Sequence, residues 1–350
     1  MLKVGVVGLG SISGLHLKAY EKHKEVEITA LCDANKSRLK ELSASYGVTK
    51  TYTNFDDLLQ DETIDAVSIC TWNNTHAAMA IEALEANKHV LVEKPLSITV
   101  GEALAVEDAV KKTGKVLQVG FVRRFGRNEQ VLKRFIDQDE LGDIYYAKAS
   151  YLRRLGNPGG WFSDKSKSGG GPLIDLGVHV IDLSWYLMGK PRPISVTGNT
   201  YYKLGNRNNI ENLSFYKAAD YDAGKNDVED LANALIRFEN GASLFIDVSF
   251  TLHTLKNEFS LKLYGDKGGA EVEPELKIVT EKHQTILNIE PQINQNNNHM
   301  EERFENEINH FVASCLYGEE NIAPVSDGVQ IMKILDAVYK SAETSREILL

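Results

Sequence analysis

Short apolar runs alternate with helix-like stretches along the first third of the chain. The runs have the length of buried β-strands, and in the longer stretches apolar residues recur every three or four positions, as in amphipathic helices. Strands are predicted at residues 2–7, 26–32, 66–71, 89–93 and 116–120, and helices at residues 15–23, 36–46, 55–59, 75–86 and 100–113. Strands that are almost continuous in Val, Ile and Leu are typical of a parallel sheet covered by helices on both faces. The pattern therefore predicts an α/β domain with a doubly wound parallel sheet.

Beyond about residue 123, strands of alternating polarity follow one another through short turns. Asn240-Gly241 is a typical hairpin turn, and residues 265–268 form a second turn signal. Strands are predicted at residues 235–238, 243–250, 259–264 and 270–272, and helices at residues 128–136, 173–187, 301–315 and 328–343. Polar stretches at residues 205–227 and 288–299 interrupt this pattern and are predicted to be solvated loops.

The length of the chain, 350 residues, favours two domains. We expect an α/β domain of residues 1–122 and an α+β domain of residues 123–350. The second domain is predicted to contain a large, mainly antiparallel open sheet, because its strands are joined by turns and not by crossover helices.

Composition narrows the class of protein. Hydrophobic residues make up 43% and charged residues 25% of the chain, as in ordinary globular proteins. The net charge of -10 argues against a dedicated nucleic-acid binder. Because neither a membrane-spanning apolar stretch nor a signal-peptide layout is found, we expect a cytoplasmic protein without a membrane partner. Cys32, Cys70 and Cys315 lie in apolar contexts and are predicted core residues, not disulfides or metal ligands.

A glycine-containing turn, Gly8-Leu9-Gly10-Ser11-Ile12-Ser13, follows the first predicted strand and leads into a helix. Gly8 allows a tight turn, and Gly10 lets the backbone approach a pyrophosphate whose charge the helix N-terminus stabilises. Asp33 ends the next strand, where a carboxylate can accept hydrogen bonds from a ribose diol. The pattern predicts a dinucleotide site formed by Gly8, Gly10, Ser11, Ile12 and Asp33. Because Asp33 would repel a 2'-phosphate, NAD is expected in preference to NADP, although the nearby Lys36 and Arg38 would suit NADP.

Asp175 and His179 lie four positions apart in a predicted helix. That spacing places both side chains on one face. Gly177 between them costs about 1 kcal/mol of helix stability relative to Ala, so we expect a nicotinamide or substrate to approach closely there. With Asp182, the two side chains could also ligate a metal, but no further His or Cys cluster completes a coordination sphere. We therefore expect no metal.

Together with these motifs, Glu93-Lys94-Pro95 makes the chain resemble the Gfo/Idh/MocA oxidoreductase family from Lys3 to about Glu343. The resemblance implies a Rossmann dinucleotide-binding domain, a cis bond between Lys94 and Pro95, and an active site that contains Lys94. It also implies that residues 170–182 form the catalytic helix. Residues 71–76 resemble the family's Thr-Pro-Asn-x-x-His turn, with Trp72 in place of the proline. The cofactor-binding residues that the resemblance implies are Thr71, Asn73, His76, Glu93 and Lys94.

The residue types suit oxidation of a secondary alcohol, in which a hydroxyl proton and a hydride leave together. His179 is the expected proton acceptor, because imidazole has the side-chain pKa nearest to neutral pH. Lys94 would donate a hydrogen bond to the reacting oxygen, and Asp175 would bind a neighbouring hydroxyl or orient the other two groups. A lysine with a lowered pKa could also take the proton, so the choice between Lys94 and His179 stays open.

Residues 151–171 form a glycine-rich segment directly before the catalytic helix and are predicted to be a functional loop. Arg153 would bind sugar hydroxyls, and Trp161 would stack on the apolar face of a sugar, unless it packs under its own loop. Arg124 would point into the cleft, or else pair with surface acids.

We therefore expect an NAD-dependent dehydrogenase that acts on a secondary hydroxyl of a sugar, an anhydrosugar or an inositol-like cyclic polyol. The substrate class is implied by the family resemblance, as is assembly into a homodimer or homotetramer. Two alternatives stay open. One is a non-catalytic NAD-dependent sugar sensor or regulator. The other is a redox-neutral glycosidase or epimerase that uses NAD internally.

Overall fold

The computed structural model describes residues 1–207, 209–213, 215–218, 220–222, 224–273, 275–293 and 299–350. The chain forms two compact units. The first consists of Met1–Phe125 and Asn296–Met332, and the second consists of Gly126–Gln295 and Lys333–Leu350. This division differs from the two contiguous domains predicted at residues 1–122 and 123–350, because the chain returns to the first unit near its C-terminus.

The first unit contains a six-stranded parallel sheet. Its strands are β1 Leu2–Val7, β2 Val26–Cys32, β3 Lys50–Tyr52, β4 Ala66–Ile69, β5 His89–Glu93 and β6 Leu117–Gly120. The strand order 3-2-1-4-5-6 confirms the doubly wound sheet and places a topological switch point between β1 and β4. Strand β3 escaped prediction because three residues are too few to show a pattern.

Five helices connect these strands, as the apolar periodicity predicts. They are α1 Ser13–Lys22, α2 Lys36–Tyr46, α3 Phe55–Leu59, α4 Asn73–Glu85 and α5 Val100–Thr113. Side chains fix where several of them begin: Asn35 caps α2, and Thr99 and Glu102 form a capping box at α5.

The second unit contains a nine-stranded sheet that is mostly antiparallel, as predicted. Its strands are β7 Ile144–Leu152, β8 Pro193–Tyr201, β9 Leu231–Phe238, β10 Ser243–Ser249, β11 Glu258–Gly265, β12 Gly268–Glu271, β13 Lys277–Lys282, β14 Thr285–Ile289 and β15 Ile348–Leu349. The hairpin predicted at Asn240-Gly241 joins β9 to β10, and Gly241 has the positive φ of 86° that such turns require. One neighbouring pair, β7 with β10, is parallel, so the sheet is mixed.

The predicted helix at residues 173–187 begins as a π-helical turn, Leu173–Gly177. It is preceded by α6 Arg127–Asp137 and the short α7 Lys165–Ser168, and it continues as α8 Val178–Leu187. Helix α8 packs against β7, β10 and β11 of the large sheet. Irregular π-turns inside helices often occur at functional sites.

Two long helices, α9 His299–Tyr317 and α10 Val325–Thr344, complete the chain. Helix α9 returns to the first unit because its apolar face contributes to that unit's core. Ile308, Phe311 and Val312 of α9 are buried in one cluster with Leu17 and Tyr20 of α1. Among the described residues, no helix has both the length and the apolar character needed to cross a bilayer.

Candidate active site

The predicted dinucleotide turn of the first unit lies where β1 and β4 end. Gly8 has a φ of 81°, and a Cβ atom added to it would lie 2.7 Å from Thr71 Cγ2 and 2.8 Å from the Cys70 carbonyl oxygen. A Cβ added to Gly10 would have no described atom within 4 Å. Gly8 is therefore needed for the close approach of two strands, whereas Gly10 borders open space that suits a pyrophosphate.

Helix α1 begins directly after this turn. Ser13 closes the turn by donating from its hydroxyl to the Gly10 carbonyl, at 2.7 Å. The N-cap residue of α1, Ile12, makes no side-chain capping hydrogen bond, whereas Asn35 and Thr99 make one at α2 and α5. Ser11 is exposed and Ile12 is half-buried. The first turn of α1 thus fits an anionic group of a cofactor.

The Asp33 carboxylate is held against the glycine turn. Its Oδ2 accepts a hydrogen bond from the Leu9 backbone N–H at 2.6 Å, and its Oδ1 accepts one from the Asn35 N–H at 2.7 Å. Arg38 Nη1 lies 3.6 Å from Oδ2. The partly exposed carboxylate retains lone pairs for a ribose diol, and Arg38 brings a cation to the same place.

The turn after β4 is tied to the turn after β5 through His76. His76 is 1% exposed, and its Nδ1 lies 2.7 Å from the Pro95 carbonyl oxygen and its Nε2 3.2 Å from the Thr71 carbonyl oxygen. Burial lowers the pKa of His76. Trp72, in place of the family's proline, is exposed, and Asn73 is buried at the start of α4. The structure therefore places His76 in the protein interior, between two turns that were predicted to contact the cofactor.

Lys94 is half-buried at the carboxyl end of β5, where open α/β sheets bind ligands. The bond between Lys94 and Pro95 is cis, as the family resemblance implies. Glu93 is 6% exposed, and one of its carboxylate oxygens accepts a hydrogen bond from the Lys94 backbone N–H at 3.2 Å.

In the second unit, Asp175 and His179 differ from all their neighbours in exposure. Every other residue from 170 to 185 is buried, whereas these two are half-buried. Asp175 lies in the π-turn and His179 in the first turn of α8. The burial pattern leaves only these two polar side chains of the segment partly accessible, as expected for groups that meet a ligand.

Gly177 makes close packing possible at this helix. A Cβ added to it would lie 3.1 Å from Leu173 Cδ1 and 3.7 Å from Val248 Cγ2 of β10. The space at Gly177 is therefore taken by core side chains, and not by a ligand as expected from the sequence. Asp182 is buried. Among the described residues, no group of three or more His, Cys, Asp or Glu side chains is placed to hold a metal ion.

The two halves of the predicted site belong to one known family. A family model described as an oxidoreductase family with an NAD-binding Rossmann fold matches residues 2–121, and the model of its C-terminal alpha/beta domain matches residues 133–350. The chain belongs to the Gfo/Idh/MocA oxidoreductase family. Its first unit accordingly contains an NAD-binding Rossmann domain, which agrees with the open space at Gly10.

Several Gfo/Idh/MocA proteins are similar over most of the chain. D-glucoside 3-dehydrogenase of Escherichia coli (strain K12) is 32% identical over 351 residues, which cover 99% of this chain and 97% of the relative. Myo-inositol 2-dehydrogenase of Thermotoga maritima is 28% identical over 249 residues, which cover 71% and 68% of the two chains. A solved structure of levoglucosan dehydrogenase in complex with NADH and L-sorbose superposes with a TM-score of 0.87 at 25% identity, covering 99% of this chain and 98% of the other.

One residue of the Gfo/Idh/MocA C-terminal domain that the sequence pattern did not single out is Glu229. It is 2% exposed, and its carboxylate accepts hydrogen bonds from the Gly171 N–H at 2.9 Å and the Leu173 N–H at 3.0 Å. It also accepts one from the Tyr339 hydroxyl at 2.9 Å. Burial and the neighbouring Glu229 raise the pKa of Tyr339 well above its usual value, so Tyr339 stays a donor. Glu229 thus fixes the start of the helix that carries Asp175 and His179.

The loop before this helix is anchored to the polar stretch at residues 205–227. Asn157 and Asn206 are both buried, and the Asn157 amide nitrogen donates to the Asn206 side-chain oxygen at 2.7 Å. The prediction of a fully solvated stretch is therefore wrong at Asn206. The parts of the two polar stretches at residues 208, 214, 219, 223 and 294–298 lie outside the described residues.

Two predicted substrate contacts in that loop are partly engaged within it. Arg153 Nη1 donates to the Gly156 carbonyl at 3.1 Å, and Nη2 donates to the Tyr151 hydroxyl at 3.3 Å. Trp161 is half-buried and stacks on Phe162, with the ring centroids 3.8 Å apart. Both Arg153 and Trp161 are only half-buried, so part of each residue is still exposed to solvent.

Arg124 is not placed in an open cleft. Its side chain has no exposed surface, its Nη1 lies 2.6 Å from Asp327 Oδ2, and it also donates to the Ile322 carbonyl. The predicted substrate contact of Arg124 is therefore wrong, because the guanidinium is consumed by a buried ion pair. The other expectation, that Arg124 pairs with a surface acid, is also wrong, because Asp327 is buried.

Proposed function

We propose that the protein is an NAD-dependent dehydrogenase that oxidises a secondary hydroxyl of a sugar, an anhydrosugar or an inositol-like cyclic polyol. The observation that carries the proposal is the half-buried pair of Asp175 and His179 in a segment, residues 170–185, that is otherwise buried. Three relatives support the substrate class, because their names describe a D-glucoside, myo-inositol and levoglucosan as substrates.

In this reaction NAD supplies the hydride acceptor. Gly8, Gly10, Ser11, Ile12 and Asp33 would hold its pyrophosphate and adenosine ribose, and Thr71, Asn73, Glu93 and Lys94 would line the nicotinamide end. NAD is proposed in preference to NADP because the Asp33 carboxylate suits a ribose diol and repels a 2'-phosphate. The nearby Arg38 limits the expected preference to a moderate one.

Three side chains would act on the substrate hydroxyl. His179 would take its proton, since imidazole is the side chain whose ordinary pKa lies nearest to neutral pH. The Lys94 ammonium would donate a hydrogen bond to the reacting oxygen and stabilise its developing negative charge. Asp175 would accept a hydrogen bond from a neighbouring hydroxyl, and Trp161 and Arg153 would contact the rest of the ring. We also propose that the protein lies in the cytoplasm, where NAD is available. We propose that it assembles into a homodimer or a homotetramer.

The activity is tested with a panel of sugars, anhydrosugars and inositols, with NAD and NADP in parallel, by following nicotinamide reduction. We expect reduction of NAD with at least one member of the panel. Binding of a sugar without any turnover would favour the sensor function. Conversion of the sugar without net NADH would favour a redox-neutral enzyme.

The residue roles are tested with His179→Ala and Lys94→Ala. We expect each to lower kcat by roughly a hundredfold or more, because a general base and an oxyanion donor each contribute that much. Lys256→Ala and His283→Asn are matched controls on exposed residues, and we expect turnover within about twofold of wild type. Turnover within about tenfold of wild type in both active-site variants would disprove the assigned roles.

A further inference from the structure

In the first unit, a buried chain of hydrogen bonds lies next to the turn that follows β5. This turn begins with Lys94 and Pro95 and is called the Lys94 turn below. It begins at Tyr20, whose hydroxyl donates to Ser68 Oγ at 3.3 Å, and continues from Ser68 Oγ to His16 Nδ1 at 2.8 Å. His16 Nε2 then lies 2.9 Å from Glu93 Oε1. Residues of α1, β4 and β5 are thus connected in one line that ends at the residue before Lys94.

His16 is the central residue of this line. It is completely buried, and its ring packs against Phe304 with the centroids 5.3 Å apart. Both ring nitrogens are engaged, one with Ser68 and one with Glu93. A ring that is held on both edges and against one neighbouring ring has little freedom to move, and it fixes the carboxylate it contacts.

Glu93 connects His16 to the backbone of Lys94. Its Oε1 contacts His16, while its Oε2 accepts the backbone N–H of Lys94 at 3.2 Å. On its other side the carboxylate lies against Gly120, where an added Cβ atom would be 3.3 Å from Oε2. The start of the Lys94 turn is therefore held from inside the protein.

The charges of the pair support the same conclusion. Burial lowers the pKa of His16, but Cys70 and the Glu93 carboxylate outweigh burial and raise it well above the ordinary histidine value. An imidazolium beside a carboxylate is a compensated buried pair, and removal of either partner leaves an uncompensated charge or an unsatisfied polar group.

We propose that His16 is a positioning residue that holds Lys94 in its working place through Glu93. The proposal rests on the function proposed above, because it assigns the position of Lys94 a role in turnover. His16 lies on α1, whose N-terminus follows the glycine turn. The contact therefore joins the pyrophosphate-binding helix to the Lys94 turn, so that cofactor and ammonium keep a fixed relation within the NAD-binding domain.

The test uses two substitutions that separate the two ring nitrogens. In His16→Gln, the amide nitrogen takes about the position of Nε2 and keeps a donor for Glu93. In His16→Asn, the amide nitrogen takes about the position of Nδ1 and loses that donor. We expect His16→Asn to lower kcat at least about tenfold with a KM for NAD within about threefold of wild type, because a small displacement of a catalytic group affects mainly turnover.

We expect His16→Gln to restore kcat to within about threefold of wild type. Tyr20→Phe is the matched control, because it removes a hydrogen bond of the same line on the side away from Glu93. We expect its kcat within about twofold of wild type. Equal loss of turnover in the Asn and Gln variants, or unchanged turnover in both, overturns the proposal. If His16→Asn does not fold, Glu93→Gln replaces it, and unchanged turnover there has the same meaning.

A second measurement does not depend on sugar oxidation. Reductive methylation of Lys94 by formaldehyde and cyanoborohydride is followed by peptide mass spectrometry with and without NADH. We expect NADH to slow methylation of Lys94 in the wild type, and this protection to fall at least about threefold in His16→Asn but not in His16→Gln. Equal protection in all three proteins overturns the proposal. If no sugar is oxidised by the wild type, the proposed function fails, while this measurement still decides the role of His16.

Discussion

Gly8 and Gly10 belong to one motif but have different physical roles. Gly8 has a positive φ and lies against the Cys70 backbone, whereas Gly10 borders open space. We expect Gly8→Ala to lower the free energy of unfolding by about 1–3 kcal/mol, because both its backbone conformation and its contact with Cys70 become strained.

Gly10→Ala, compared with Gly8→Ala, separates an effect on cofactor binding from an effect on stability. We expect it to leave the free energy of unfolding within about 1 kcal/mol of wild type, yet to weaken NADH binding at least about tenfold, because the added methyl group occupies space needed by a pyrophosphate. Thermal unfolding and a fluorescence titration with NADH measure the two effects. Normal NADH affinity in Gly10→Ala would place the pyrophosphate elsewhere.

His76 makes stability depend on pH in acid. Burial lowers its pKa in the folded state, so the unfolded chain binds a proton at a higher pH than the folded chain does. The stability that neutral His76 contributes is fully present above the ordinary histidine pKa of about 6.5. This stability decreases as the pH falls below that value. We expect His76→Asn to lose less stability than wild type between about pH 7 and pH 5 in urea unfolding. His89 and His310, whose pKa values burial also lowers, keep part of the dependence.

At the scale of elements, the helix carrying Asp175 and His179 depends on a residue far from it in sequence. The Glu229 carboxylate accepts hydrogen bonds from the Leu173 N–H, at the start of the π-turn, and from the Gly171 N–H just before it. At most helix starts a residue next to the helix in sequence accepts such N–H groups. The local sequence of the helix therefore does not by itself fix where the π-turn begins.

We expect Glu229→Gln to lower the free energy of unfolding by about 1–3 kcal/mol, because the amide nitrogen would face backbone donors without accepting from them. A displaced π-turn should also reduce kcat at least about tenfold. Glu239→Gln is the control, since Glu239 is exposed beside Arg192, and it should cost less than about 0.5 kcal/mol. Both are measured by urea unfolding and steady-state kinetics. Equal behaviour of the two variants would show that the carboxylate is dispensable.

At the scale of the whole molecule, the NAD-binding unit is not a contiguous piece of chain. Helix α9 supplies Ile308, Phe311 and Val312 to a core that also contains Leu17 and Tyr20 of α1. The same helix therefore stabilises the element whose N-terminus follows the glycine turn. A fragment that ends near residue 122 would leave this apolar surface of α1 uncovered.

We expect Phe311→Ala to lower the free energy of unfolding by about 3–5 kcal/mol, because it opens a cavity in a fully buried position. Met300→Ala, at an exposed position of the same helix, should change it by less than about 1 kcal/mol. Urea unfolding followed by circular dichroism measures both. A small effect of Phe311→Ala would mean that α9 is not part of the core that supports α1.

Local patterns predicted the elements of the first unit well. The bounds predicted for β1, β2, β5, α2, α3 and α5 agree with the structure. In contrast, β7, β8 and β13–β15 were not predicted, and they belong to the mixed sheet. Strands with one partly exposed face carry a weaker apolar signal than strands buried on both faces. Tertiary pairing, which the local pattern does not contain, decides their existence.

The sequence by itself determined the doubly wound sheet, the glycine turn with Asp33, the Glu93-Lys94-Pro95 motif and the Asp175–His179 pair. These features depend on neighbouring residues, because turns, strand ends and helix faces follow from local spacing. Only the tertiary structure decided the roles of residues whose partners are distant. His16 and Glu93 are 77 positions apart, and Glu229 is 58 positions from Gly171. Arg124 likewise forms its buried ion pair with Asp327, which lies 203 positions away in the sequence. Contacts between remote segments form only when the chain is packed, and spacing along the sequence does not record them.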